Sequence, residues 1–127
     1  MATVGIVAGR VLKVWSHPNA DRIFLALVDI GDQRPLQIVF GGSRRLQAGE
    51  VIPVAPPGAR LPGINRMRRR RYRGEDSYGM FCSLDELGWA KGAQDEVAVL
   101  DGSLLPGTSL DEIPDPLSIV ISPRVHG

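Results

Sequence analysis

The residues of this chain best suited to chemistry lie between positions 65 and 87, NRMRRRRYRGEDSYGMFCSLDEL, and six of the eight residues at 66–73 are arginine. A guanidinium stays charged, donates through a planar fork that matches a phosphate, and stacks on bases. A face kept soluble by charge usually mixes lysine with acids. Here only Met67 and Tyr72 interrupt the arginines, so the run points to a nucleic acid. Arg44 and Arg45, after Gly41 and Gly42, make a second basic loop.

Other chemistries are poorly served. Ser77, Ser83, His17 and the acids form no nucleophile, base and orienter at a familiar spacing, and no glycine loop has the pattern that cradles phosphate. His17, between Ser16 and Pro18, reads as a turn residue rather than a base. The single Cys82 excludes an internal disulfide, and two histidines give no metal cluster. A non-catalytic protein without cofactors, in a reducing cytoplasmic setting, is expected. No apolar stretch is long enough to span a bilayer and no signal-peptide pattern opens the chain, so no membrane partner is expected.

The net charge of +1 conceals a division of the chain. Residues 1–74 carry 13 of the 15 lysines and arginines against four acids, whereas residues 75–127 carry two cations against ten acids. The first half is expected to build a positive face that concentrates polyanions.

Secondary structure must hold the arginines with at least one side in water. In a helix, like charges three and four residues apart repel. In a strand, successive side chains point to opposite faces, those on one face lie about 6.6 Å apart, and one face can lie over a core. Residues 66–73 are therefore expected as a strand, with Met67 inward and Arg66, Arg68 and Arg70 outward. Met67 and Tyr72 are five apart and face opposite ways unless a bulge near residues 69–71 lets both pack inward. Arg69 would need an acid or a barrel end. Gly74 ends the run, residues 75–77 read as a turn, and residues 78–82 read as the return strand of a hairpin.

Around this centre the chain reads as short strands. Residues 4–15 suit a long strand bent at Gly5 or Gly9, able to serve two sheets. Residues 16–21 are a turn by composition, residues 23–30 and 35–40 two more strands, and residues 51–55 a fourth. Ser83 and Glu86 have capping-box spacing ahead of a short helix that Gly88 can end. Residues 97–100 and 117–121 (LSIVI) are the last strands. The expected class is mainly β, a barrel or sandwich, in one domain of ordinary size.

His17-Pro18-Asn19-Ala20-Asp21-Arg22-Ile23, Val28-Asp29-Ile30-Gly31, Gln37-Ile38-Val39, Gly58-Ala59-Arg60-Leu61-Pro62-Gly63, Arg73-Gly74 and Ser77-Tyr78-Gly79-Met80-Phe81-Cys82-Ser83 occur in one order and spacing. Together they resemble the tRNA-binding OB-fold domain of the beta chain of bacterial phenylalanyl-tRNA synthetase, of methionyl-tRNA synthetase extensions, and of stand-alone tRNA-binding and export-chaperone relatives. The resemblance covers roughly residues 4–110. It implies a five-stranded OB-fold Greek-key barrel with short helices and extra C-terminal strands, over residues 1–113, with residues 114–127 as an extension. It also implies a module that recognises tRNA by shape and backbone, alone or delivering it to an aminoacyl-tRNA synthetase or another tRNA-using enzyme. Stand-alone relatives pair two barrels through terminal strands, so a homodimer through residues 117–121 is expected.

On this reading the tRNA contacts are Arg44, Arg45, Arg66, Arg68, Arg70, Arg73, Ser77, Met80 and Ser83. The serines donate to phosphate or ribose, Gly79 admits a close backbone, and Met80 is either a contact or core filler. Ser83 has helix capping as its alternative. Relatives carry a Gly-Ala-Pro-Asn-like loop where this chain has Gly41-Gly42-Ser43-Arg44, which replaces an amide suited to a base edge by a guanidinium. The competing class is an export-chaperone-like protein-interaction module, whose groove would need exposed apolar residues. A general single-strand binder would want aromatic platforms.

Overall fold

The computed structural model describes residues 3–41, 46–63, 66–91 and 97–123. Strand β1, Val7–Ser16, pairs antiparallel with β2, Ile23–Asp29, which pairs with β3, Leu36–Gly41. Residues 7–10 of β1 pair on the other side with β4, Val51–Ala55. One long strand thus serves two neighbours, as expected. The register shift lies between Val11 and Lys13 rather than at a glycine. Gly9 has a different reason: a Cβ there would meet Val28 Cγ1 and Val54 Cγ2, each at 2.6 Å.

All five residues of β4 are buried because both of its faces are covered. Ile52 and Val54 join Val11, Val28, Ile38 and Phe81 in one core, and Val51 and Ala55 join Ile6, Leu61, Met67 and Leu100 in a second. The period of two along a strand divides these side chains between the cores.

The arginine segment differs from the expected long strand. Strand β5 is only Arg70–Tyr72, and its partner is β6, Glu75–Ser77, in a separate two-stranded sheet. The expected turn at residues 75–77 is therefore the return strand. The turn itself is Arg73 and Gly74, both at positive φ (49° and 91°), the geometry of a two-residue type I′ hairpin. Residues 78–82 instead contain β7, Met80–Phe81, paired with Val54 and Ala55 of β4.

The ladders leave one side of β3 open. Tyr78 N donates to Gln37 O at 2.8 Å and Val39 N donates to Ser77 Oγ at 2.9 Å. These bonds bridge β3 to the segment entering β7, beside the first core, to which β1, β2, β3, β4 and β7 all contribute. The fold is mainly β and OB-like.

Ser83 is the N-cap of α1, Leu84–Leu87, with the capping box complete and Gly88 in the left-handed C-cap. Replacing Ser83 by alanine removes the acceptor for Glu86 N and is expected to cost about 1 kcal/mol, read by chemical denaturation. A loss below about 0.3 kcal/mol would show that the cap does not anchor the segment after β7. Cys82, also buried, is a free thiol whose pKa burial pushes up, with Glu86 adding to the effect.

Strand β8, Val99–Leu100, pairs with β4 and with β9, Val120–Ser122. The expected strand over residues 117–121 is mostly a 3-10 helix, Pro116–Ile119. Pro116 presets φ for a helical start, and only the last residues of the apolar run reach the sheet.

Candidate nucleic-acid interface

The arginine segment is fastened at three places. Met67 is buried in the second core, its N–H donates to Ala59 O and its carbonyl accepts from Gly58 N, each at 2.7 Å. Met67 is therefore held on the loop at residues 56–59, and Arg66 and Arg68 beside it are exposed.

The second fastening is His17, a buried residue of the turn at residues 16–21. Its Nδ1 accepts from Asn19 N at 2.9 Å, which leaves Nε2 as the donor to Tyr72 O at 2.8 Å. The turn residue is thus a clamp between two hairpins, a role with no signature in spacing. The third is Gln37, whose Nε2 donates to Asp76 O at 2.8 Å, next to the bond between Ser77 and Val39.

Of the two alternatives for Met67 and Tyr72, a bulge that packs both inward or exposure of one, the structure has the second: Met67 is buried and Tyr72 is 41% exposed. All three residues of β5 are exposed while β6 makes the contacts to β3, so Tyr72 is not drawn inward. Register pairs Arg71 with Asp76, and Arg69 Nη1 donates to Asp76 Oδ1 at 2.7 Å while Arg71 lies 3.7 Å from it. Arg69 finds the acid its parity called for, at the surface and 53% exposed rather than inside. Among the described residues, no ion pair engages the guanidinium groups of Arg66, Arg68, Arg70 or Arg73. All four are exposed, so they form a row of open cations on one strap.

The remaining candidates are not brought to that row. Ser77 is buried, its hydroxyl donating to Gly79 O at 3.1 Å and accepting from Val39 N. Ser83 is buried in the helix cap, and half-buried Met80 packs against the second core. Gly79 admits a close backbone, but that backbone belongs to β4. A Cβ at Gly79 would fall on the carbonyl oxygen of Ala55. Arg44 and Arg45 lie outside the described residues.

Two cavities flank the end of β1. One, of about 250 Å³, is lined by Val14, Trp15, Ser16, Phe24, Phe40 and Leu46, and Lys13 Nζ sits 5.3 Å from the Trp15 ring. Trp15, Phe24 and Phe40 line one cavity because the end of β1, the start of β2 and the end of β3 lie side by side, with the Phe24 and Phe40 rings 5.8 Å apart. The other, of about 450 Å³, is formed by residues 17–21 with Ile23 and Arg73. Among the described residues, no helix is long and apolar enough to cross a membrane, and no cluster of His, Cys, Asp and Glu could hold a metal.

The comparisons with known proteins agree with this geometry. The family described as "Putative tRNA binding domain" matches residues 6–109. The phenylalanine--tRNA ligase beta subunit of Anaeromyxobacter dehalogenans is 39% identical over 111 residues, 87% of this chain and 14% of that protein. The corresponding subunit of Halalkalibacterium halodurans is 48% identical over 84 residues, 66% of this chain and 10% of that protein. The chain thus spans only a small part of the length of these curated relatives. The C-terminal domain of Plasmodium vivax p43 shares the fold, with TM-score 0.58 and 18% identity over 87% of this chain and 66% of that one. A match over most of the chain, on the residues that build the barrel and its arginine strap, means that this chain belongs to the tRNA-binding domain family.

Proposed function

We propose that this domain is a non-catalytic module that binds tRNA by shape and backbone and presents it to a tRNA-using enzyme in the cytoplasm. The observation that carries the reading is the row of Arg66, Arg68, Arg70 and Arg73, exposed and without ion pairs among the described residues, on a strap pinned by Met67, His17 and Gln37. The pins hold the backbone from which these cations project, and phosphates carry no base identity. The synthetase subunits among its relatives support an enzyme partner.

Binding to mixed tRNA, a length-matched single strand and duplex DNA in one buffer tests the reading. With about four to six phosphates contacted, the slope of log K against log salt is expected near −3 to −5, with tRNA preferred over both competitors and little difference among tRNAs. A slope near zero, or one tRNA preferred by orders of magnitude, would refute it.

The same reading includes a homodimer through the extension at residues 114–127. It is supported by β9, the last strand in the order among the described residues, and by Ile121, which is 57% exposed. Exposed apolar edges invite pairing. Sedimentation at micromolar concentration is expected to show a dimer that removal of residues 114–127 dissociates. A monomer whose solubility is unchanged by that truncation is the contrary result.

A further inference from the structure

The cavity of about 450 Å³ beside the arginine strap is polar and carries charges of both signs. Asp21 lies on one element and Arg73 on another, yet no ion pair joins them among the described residues. Its volume falls in the range of ordinary ligand sites. A carboxylate only accepts hydrogen bonds and a guanidinium only donates them, so the matching ligand offers both a donor and an anion. A ribonucleotide offers both, as a ribose hydroxyl and a phosphate.

The backbone singles out the same place. Among the described residues, only Arg22 (φ 59°) and Arg73 (φ 49°) are non-glycine residues in the left-handed region. Arg73 lines the cavity, and Arg22 falls between Asp21 and Ile23, which also line it. Glycine, asparagine or aspartate is the favoured residue at the first position of a type I′ turn. An arginine held there carries backbone strain, and such strain gathers at functional sites. His17, bonded to both Asn19 and Tyr72, keeps the two walls in register.

We propose that this cavity holds one unpaired ribonucleotide of the bound RNA, with its phosphate on Arg73 and its ribose 2′-hydroxyl donating to Asp21. The proposal rests on the tRNA-binding reading and adds to it a means of distinguishing RNA from DNA, since only RNA carries that hydroxyl. The strap supplies affinity that any phosphate backbone would satisfy, and the cavity supplies the sugar selectivity.

The test uses the full 127-residue chain with a single-stranded octaribonucleotide and its deoxy counterpart at low salt. The wild type is expected to bind the RNA octamer about tenfold more tightly, the worth of a hydrogen bond to a charged group. Asp21→Ala, which removes the acceptor, is expected to bring the ratio close to one while the salt slope on tRNA stays unchanged. Arg73→Gly relieves the turn, so its melting temperature should be equal or higher, while RNA affinity falls. If Asp21→Ala leaves the RNA to DNA ratio intact, or the wild type shows no preference, the cavity assignment is overturned while tRNA binding by the strap stands. If the wild type binds neither tRNA nor the octamers, the functional reading falls and the cavity assignment falls with it.

Discussion

Replacing Arg66, Arg68 and Arg70 together by alanine is expected to weaken tRNA binding roughly 10²- to 10³-fold at 0.1 M salt. Each neutralised phosphate contributes about 0.7 to 0.9 to the slope of log K against log salt, so three lost contacts make the slope shallower by about two to three units. The loss should be uniform across tRNAs, because contacts to the backbone do not read bases. Stability should hardly change. None of the three guanidinium groups has an ion-pair partner among the described residues, and the strap keeps the buried Met67 and its two backbone bonds.

The matching control is Arg69 and Arg71, which share Asp76. The parity of a regular strand would send them inward and make them matter for stability. Their exposure of 53% and 64% instead limits the stability cost to the ~0.2–1 kcal/mol of surface ion pairs. Their charge is also partly answered by Asp76, so their loss should weaken binding less than that of the open row. Fluorescence anisotropy over a salt series, with thermal melts alongside, decides it. If the Arg69 and Arg71 variant lost more binding than the triple variant, the row identified here would not be the interface.

The second large effect is on the fold. Gly79→Ala is expected to destabilise by about 3 kcal/mol or more, lowering the melting temperature by roughly 10 °C. Gly79 has φ of +113°, and its added Cβ would strike the Ala55 carbonyl and come within 3.0 Å of Pro56 Cα. Both obstacles are backbone of β4 and the turn after it, which cannot give way as a side chain can. Gly79 O also accepts from Ser77 Oγ, so the bridge between β3 and β7 should loosen as well. By contrast Gly74→Ala, with nothing within 4 Å of the added Cβ, should show only the smaller cost of its positive φ. Equal losses at the two positions would mean that the close approach to β4 contributes nothing.

Much of this protein was legible from residue types because the causes are local. The strands at residues 23–29, 36–41 and 51–55 follow from runs of β-branched and apolar residues between turn formers, and the helix from Ser83, Glu86 and Gly88 acting within one turn. The exposed arginines follow from the cost of burying charge.

Distance in sequence hid the rest. Only the fold brings His17 to Tyr72 and Gln37 to Asp76, contacts 55 and 39 residues apart that pin the strap. The hairpin partner depended on whether residues 75–77 or 78–82 met β5, and β4 decided it by claiming Met80 and Phe81 for its own edge. For the same reason Ser77, an apparent RNA contact by type, became a bridge to Val39. Its hydroxyl is satisfied by groups that no spacing places beside it. The polar cavity likewise needs two turns, at residues 17–23 and at Arg73, which the barrel alone sets side by side.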